Sequence, residues 1–118
     1  MKLEELQIYN QSMVMAEKIW SIVIAWDYFS KDTIGKQLVK AADSIAANLS
    51  EGYGRYHYRE NKNFCYYSRG SLFETKTWIT KAYNRKLVDS SDFESFIKQI
   101  DDTGIRLNNY IASIGRTK

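Results

Sequence analysis

Apolar residues recur at alternating intervals of three and four along almost the whole chain, and no proline interrupts them. That interval stacks side chains on one face of an α-helix, and only six glycines are available in 118 residues to stop one. Four helices can be read from the pattern. The first spans about Leu3 to Trp26. Its Leu6, Tyr9, Met13, Ala16, Trp20 and Val23 repeat as a bundle seam requires, and Met15, Ile19, Ile22 and Trp26 form a second stripe beside it. So broad an apolar face predicts either a deep core or contact with another subunit.

Asp27 to Asp32 reads as a connection, with Ser30 or Asp32 as the helix N-cap. The second helix runs to about Ser50, and Gly52 and Gly54 are expected to end it. Tyr53 to Arg59 reads as a loop, and a third helix follows from about Arg59 to Lys86. Leu87 to Ser90 turns the chain, and Ser91 with Glu94 has the spacing of a capping box. The fourth helix carries Phe93, Ile97, Ile100, Gly104, Leu107, Ile111 and Ile114 as its seam. Short connections between long helices imply antiparallel neighbours. The expected fold is all-α, a single up-down antiparallel four-helix bundle over residues 1–118, a length that supports one core.

A lone cysteine, Cys65, excludes an internal disulfide and fits a reducing compartment. The opening Met1-Lys2-Leu3-Glu4-Glu5 lacks the basic-then-apolar order of a signal peptide, and Met13 to Trp26 is too short and too charged to span a bilayer. A cytoplasmic protein without membrane contact is expected. The net charge of +3 is unevenly spread. Gly52 to Lys86 holds eight basic residues against Glu60 and Glu74, whereas Asp89 to Asp102 holds five acids against Lys98. Such a molecule can meet a polyanion or its own copy.

The third helix gives the sharpest functional signal. Arg59, Lys62, Tyr66, Arg69, Phe73 and Lys76 share one face, and Phe64, Ser68, Ser71, Thr75, Trp78 and Ala82 fall on the nearly opposite, core-facing side. The loop before it, Tyr53-Gly54-Arg55-Tyr56-His57-Tyr58-Arg59, repeats the alternation of rings and cations. Cations attract a phosphate backbone and rings stack on bases. Arg55, Arg59, Lys62, Arg69 and Lys76 are therefore candidate phosphate contacts, and Tyr53, Tyr56, Tyr58 and Tyr66 candidate stacking partners, for RNA or DNA without sequence preference. The plainer alternative is a solvated or subunit-facing helix side that docks an acidic partner, such as the start of helix four in a neighbouring copy.

Catalysis is not expected. His57 is the only histidine, so the Glu-x-x-His ligands of helical-bundle metal sites cannot be assembled, and no cofactor is implied. Cys65 and His57 lack an orienting third group, which makes Cys65 a core or interface residue. Gly52-x-Gly54 lacks the strand and further glycines of a nucleotide fingerprint.

A polar stripe, Gln37, Ser44, Asn48 and Glu51, runs beside the apolar stripe of the second helix, with Glu74 on the third. Buried polar groups must be satisfied, so these five are expected to form a hydrogen-bonded network that fixes the register of helices two and three. Gly70 and Ser71 would permit close approach, and Arg55 or Arg69 would pair with Glu51 or Glu74.

Taken in order, Gln37-Leu38, Ala41-Ala42, Ser44-Ile45, Asn48, Glu51-Gly52, Gly54-Arg55, Gly70-Ser71 and Glu74 resemble the core motif of a small bacterial four-helix-bundle family. That family includes proteins encoded in intervening sequences of 23S ribosomal RNA genes and accessory variability proteins of diversity-generating retroelements. The family's proline after Ser-Ile is Ala46 here, which removes the cause of a kink. The resemblance implies a homo-oligomer, a barrel-like pentamer. For the retroelement members it implies nucleic-acid binding alongside a reverse transcriptase, with Arg55 the one candidate contact inside the motif.

Overall fold

A computed structural model describes residues 1–116 and shows an all-helical bundle. A short 3-10 turn, Leu3–Glu5, precedes α1, Gln7–Val23. One α-turn, Tyr28–Ser30, and a π-helical turn, Lys31–Gly35, lead directly into α2, Lys36–Tyr53. Helices α3, Tyr58–Asn84, and α4, Ser90–Ser113, complete it. Successive helices are antiparallel neighbours, α4 returns to α1, and the most extensive packing joins α2 to α3. The molecule measures 51 × 23 × 20 Å, a bundle one helix length long.

Asp27 and Asp89 cap the second and fourth helical segments. Asp27 Oδ2 accepts from the Ser30 backbone N–H at 3.1 Å, and Asp89 Oδ1 from that of Asp92 at 2.7 Å. These replace the expected caps Ser30 or Asp32 and Ser91. In each case a carboxylate stands three residues before a free N–H, the geometry that best satisfies a helix start. The hydrogen bonds from Ser30 hold the Asp27 carboxyl below the usual carboxylate range. At its far end α3 closes with a left-handed Lys86, φ 64°, bracketed by bonds from Lys86 N–H to the Tyr83 carbonyl and from Leu87 N–H to the Ala82 carbonyl. This is the paired-bond helix stop that glycine usually occupies.

The core takes the strip of α1 shared by the two expected stripes, with Leu6, Ala16 and Val23 of the first buried beside Met15 and Ile19 of the second. Ile8, Met15, Ala16, Ile19 and Val23 are buried, whereas Met13 and Trp20 are 43% and 51% exposed. On α4 the fully buried ring is Phe96, and Phe93 is half-buried, stacked on Tyr83 at 4.2 Å. The α3 core face is Cys65, Ser68, Leu72, Thr75, Ile79 and Ala82, so Phe64, Ser71 and Trp78 lie on its flank.

Two glycines are placed by close approach. A side chain at Gly35 would meet Val23 Cγ1 at 2.8 Å, where the π-turn presses on the end of α1. Gly54 caps the end of α2 as expected, whereas Gly52 lies in its last turn, where a Cβ would stand 2.9 Å from the Asn61 carbonyl oxygen and 2.9 Å from Phe64 Cβ. α2 also runs unbroken through Ala46, as the missing proline implies.

Gly52→Ala should therefore lower stability in urea denaturation by about 1–3 kcal/mol through overpacking, despite the better helix propensity of alanine. Gly70→Ala, where a Cβ has nothing within 4 Å, should raise stability by about 0.5–1 kcal/mol.

Candidate nucleic-acid interface

The short connection after α2 returns the chain against itself. Arg55 bonds Glu51 at 2.8 Å, reaches Glu60 at 3.5 Å, and lies over the Phe64 ring with its guanidinium carbon 4.8 Å from the centroid. Its charge is spent within the loop. Tyr53 is half-buried and its hydroxyl donates to the Met1 carbonyl, which ties the N-terminus to the end of α2. Tyr56 projects into solvent with only the edge of His57 beside it, centroids 4.9 Å apart.

The first turns of α3 then place Tyr58, Arg59, Lys62, Asn63 and Tyr66 along one open groove, whose other wall is Ile114 and Gly115 at the end of α4. Arg59 is exposed and Lys62 half-buried, and neither has a carboxylate partner among the described residues. Tyr58 is 62% and Tyr66 45% exposed. Arg69 lies one turn further on. Its guanidinium covers the Tyr66 ring at 4.9 Å and donates through Nη1 to Asn108 Oδ1 at 2.8 Å, a neutral partner that leaves its charge intact. Lys76, two turns further, bonds Asp101 at 2.8 Å.

The nine residues proposed from sequence thus separate. Arg59, Lys62, Tyr58, Tyr66 and, behind them, Arg69 form one surface. Arg55, Lys76 and Tyr53 are engaged within the molecule, and Tyr56 stands apart at the loop. Asn63, Asn108, Ile114 and Gly115 complete the surface, and the last three carry no mark in the spacing of α3, since Asn108 lies on α4 and Ile114 and Gly115 just beyond its end. Of the acids between Asp89 and Asp102, Asp101 meets the basic helix within one copy through Lys76, whereas Asp92 pairs with Lys18 on α1 and Asp102 with Arg106 on α4 itself.

The expected polar network joining α2 and α3 is not formed. Gln37, Glu51 and Glu74 are exposed. Ser44 Oγ donates to the Lys40 carbonyl at 2.7 Å, Asn48 Nδ2 to the Ser44 carbonyl at 2.9 Å, and Glu74 accepts from Trp78 Nε1 at 3.2 Å. The stripe follows the solvent edge of α2, where water and the helix's own backbone satisfy it. The polar link between the two helices is instead Ser68, fully buried, whose Oγ donates to the Ile45 carbonyl at 2.8 Å.

A model of the 23S rRNA-intervening sequence protein family matches residues 4–109. The chain belongs to this family. A solved structure with the same architecture is that of a protein of unknown function from the S23 ribosomal protein family of Bacteroides thetaiotaomicron VPI-5482. It is 17% identical, with 90% of this chain and 99% of that chain aligned at a TM-score of 0.80. No curated protein matches the chain. Membership accounts for the bundle, and the S23 likeness extends to the fold alone.

Among the described residues no three His, Cys, Asp or Glu side chains are grouped to hold a metal ion. Cys65 is buried, and desolvation pushes its thiol up to about 11. The folded thiol stays protonated where an unfolded one ionises, so this group's contribution to stability falls as pH rises from about 8.5 to the folded value near 11. Denaturation midpoints measured between pH 8 and 11 should fall less steeply in Cys65→Ser than in the parent chain. In the native protein the thiol should resist alkylation at pH 8 until denaturant is added.

Proposed function

We propose that this member of the family is a non-catalytic, homo-oligomeric accessory protein that binds RNA or DNA with little sequence preference. The observation that carries the reading is the groove at the start of α3, where Arg59 and Lys62, without a carboxylate partner among the described residues, stand between exposed tyrosines and Arg69 backs Tyr66. Cations of this kind gain a phosphate without first surrendering a carboxylate, and counterion release makes each such contact favourable at low salt. Exposed rings add a surface on which any base can stack. Burial and protonation of Cys65 argue against a thiolate nucleophile.

Assembly is supported by a second surface. Trp20, Val23, Ile24 and Val39 line an apolar groove between α1 and α2, with Lys31, Lys36 and Lys40 among its walls. Met13 continues the apolar exposure along α1. Large apolar side chains grouped at a surface mark association, and another copy, in the pentamer that the family resemblance implies, is the partner we assign. The polar motif residues Gln37, Ser44, Asn48 and Glu51 lie along the outer edge of α2, and among the described residues none of them bonds to a neighbouring helix, while Glu51 holds Arg55 in the connection to α3. A reverse transcriptase as companion is what the same resemblance implies, and a cytoplasmic setting fits the lone Cys65. No helix among the described residues is long and apolar enough to cross a membrane.

Fluorescence anisotropy with labelled RNA and DNA over a salt series tests the first half. Binding should be micromolar or tighter at low salt. Arg59→Ala with Lys62→Ala should reduce the log–log salt slope by about 1.4 per engaged copy on a single strand. No binding of either polymer at low salt would remove the reading. Sedimentation tests the second half: Trp20→Glu should dissociate the oligomer while leaving helical content unchanged.

A further inference from the structure

We propose that the α3–α4 groove takes an unpaired strand rather than a duplex, with bases against Tyr58 and Tyr66 and the sugar-phosphate backbone on Arg59 and Lys62. This rests on the nucleic-acid reading above and adds the class of nucleic acid.

Both rings are braced from behind. Tyr58 is seated on Gly115, the last turn after α4. Gly115 has φ 81°, and a Cβ added there would stand 3.2 Å from Tyr58 Cδ2 and 3.3 Å from Cγ. Only glycine both adopts that backbone readily and leaves room for the ring. Tyr66 is covered on one side by the Arg69 guanidinium, itself fixed by Asn108 on α4. A braced ring loses little freedom when a base stacks on its open side, which is the advantage of preorganisation. Arg59 and Lys62 occupy the wall between the two rings.

The spacing fits a short run of bases. Eight residues of helix separate the rings by about 12 Å along α3, room for roughly three or four bases at ~3.4 Å each. In a duplex the base faces are stacked within the helix and cannot reach either ring, whereas unpaired bases can be splayed onto them.

Charge leads to the same conclusion. Of the five cations singled out in the sequence, Arg55 and Lys76 are already neutralised by Glu51, Glu60 and Asp101. Three of those candidates remain without a carboxylate partner among the described residues, few to hold a duplex by phosphate contacts alone. The rings must supply part of the affinity, and only an unpaired strand lets them.

The test compares a labelled 20-nucleotide oligouridylate with a 20-base-pair RNA duplex on the full chain, by anisotropy at low salt. The oligouridylate should bind at least tenfold more tightly. Tyr58→Leu with Tyr66→Leu should abolish that preference by weakening oligouridylate binding to the level of the duplex. Tyr58→Phe with Tyr66→Phe, which keeps both rings, should retain it. Equal or tighter duplex binding by the unaltered protein overturns the proposal while leaving nucleic-acid binding intact, and it does so without any variant. A preference that survives the leucine pair overturns it as well. Failure of both probes to bind overturns the underlying nucleic-acid reading and this inference with it.

Discussion

The close contact of α2 with α3 sets the geometry of everything around it. Ala41 and Ala42 give α2 a buried face with little bulk, and Gly52 removes the last side chain where Asn61 and Phe64 come nearest. Small residues let two backbones approach, and the Ser68 hydroxyl then spans the gap to the Ile45 carbonyl. A buried hydrogen bond of this kind adds only about 0.5–1.5 kcal/mol net, yet losing one partner leaves a polar group stranded in the core, so it selects one register. With that register fixed, the connection after Tyr53 is short and folds Arg55 back over Phe64. The start of α3 is thereby delivered to the end of α4, where the groove forms.

Periodicity alone was enough to read the helices, their order and the bundle. It was not enough to orient each helix to the residue. On α1 two apolar stripes lie side by side, and the core takes Met15 and Ile19 while Met13 and Trp20 face out. On α4 the choice between Phe93 and Phe96 has the same character. One residue turns a helix by about 100°, so where neighbouring faces are both apolar the sequence pattern permits either, and packing against the other three helices decides. The caps were misplaced for a related reason: Ser30, Asp32 and Ser91 are all competent N-caps by type, and only the path of the chain shows that Asp27 and Asp89 hold the free N–H groups.

The polar stripe on α2 shows a different limit. Its spacing was read correctly, but spacing does not say whether a polar row lies inside a helix pair or along its outer edge. Gln37 and Glu51 on the outside, with Ser44 and Asn48 bonded to their own helix, need no network. The motif that marks the family accordingly divides into two parts. Leu38, Ala41, Ala42, Ile45 and Gly52 build the core, and the polar members Ser44, Asn48, Glu51 and Glu74 lie at its edge, bonded to their own helix or, for Glu51, to Arg55.

Charge shows most clearly what chain order contributes. Counted along the sequence, the cations of α3 form one block and the acids of α4 another. Antiparallel packing lays the two side by side, so they cancel where they overlap, as Lys76 and Asp101 do. The acids of α4, however, stop at Asp102, and from Thr103 onward that helix offers Asn108, Asn109 and Tyr110 but no carboxylate. The half of α4 that faces the start of α3 is therefore the acid-free half. Arg69 meets a neutral amide there, and Arg59 and Lys62 meet Ile114 and Gly115. Uncompensated positive charge is thus left beside Tyr58 and Tyr66 because the acids on α4 come first and the amides second. Reversing that order would leave composition and net charge unchanged and would neutralise the groove.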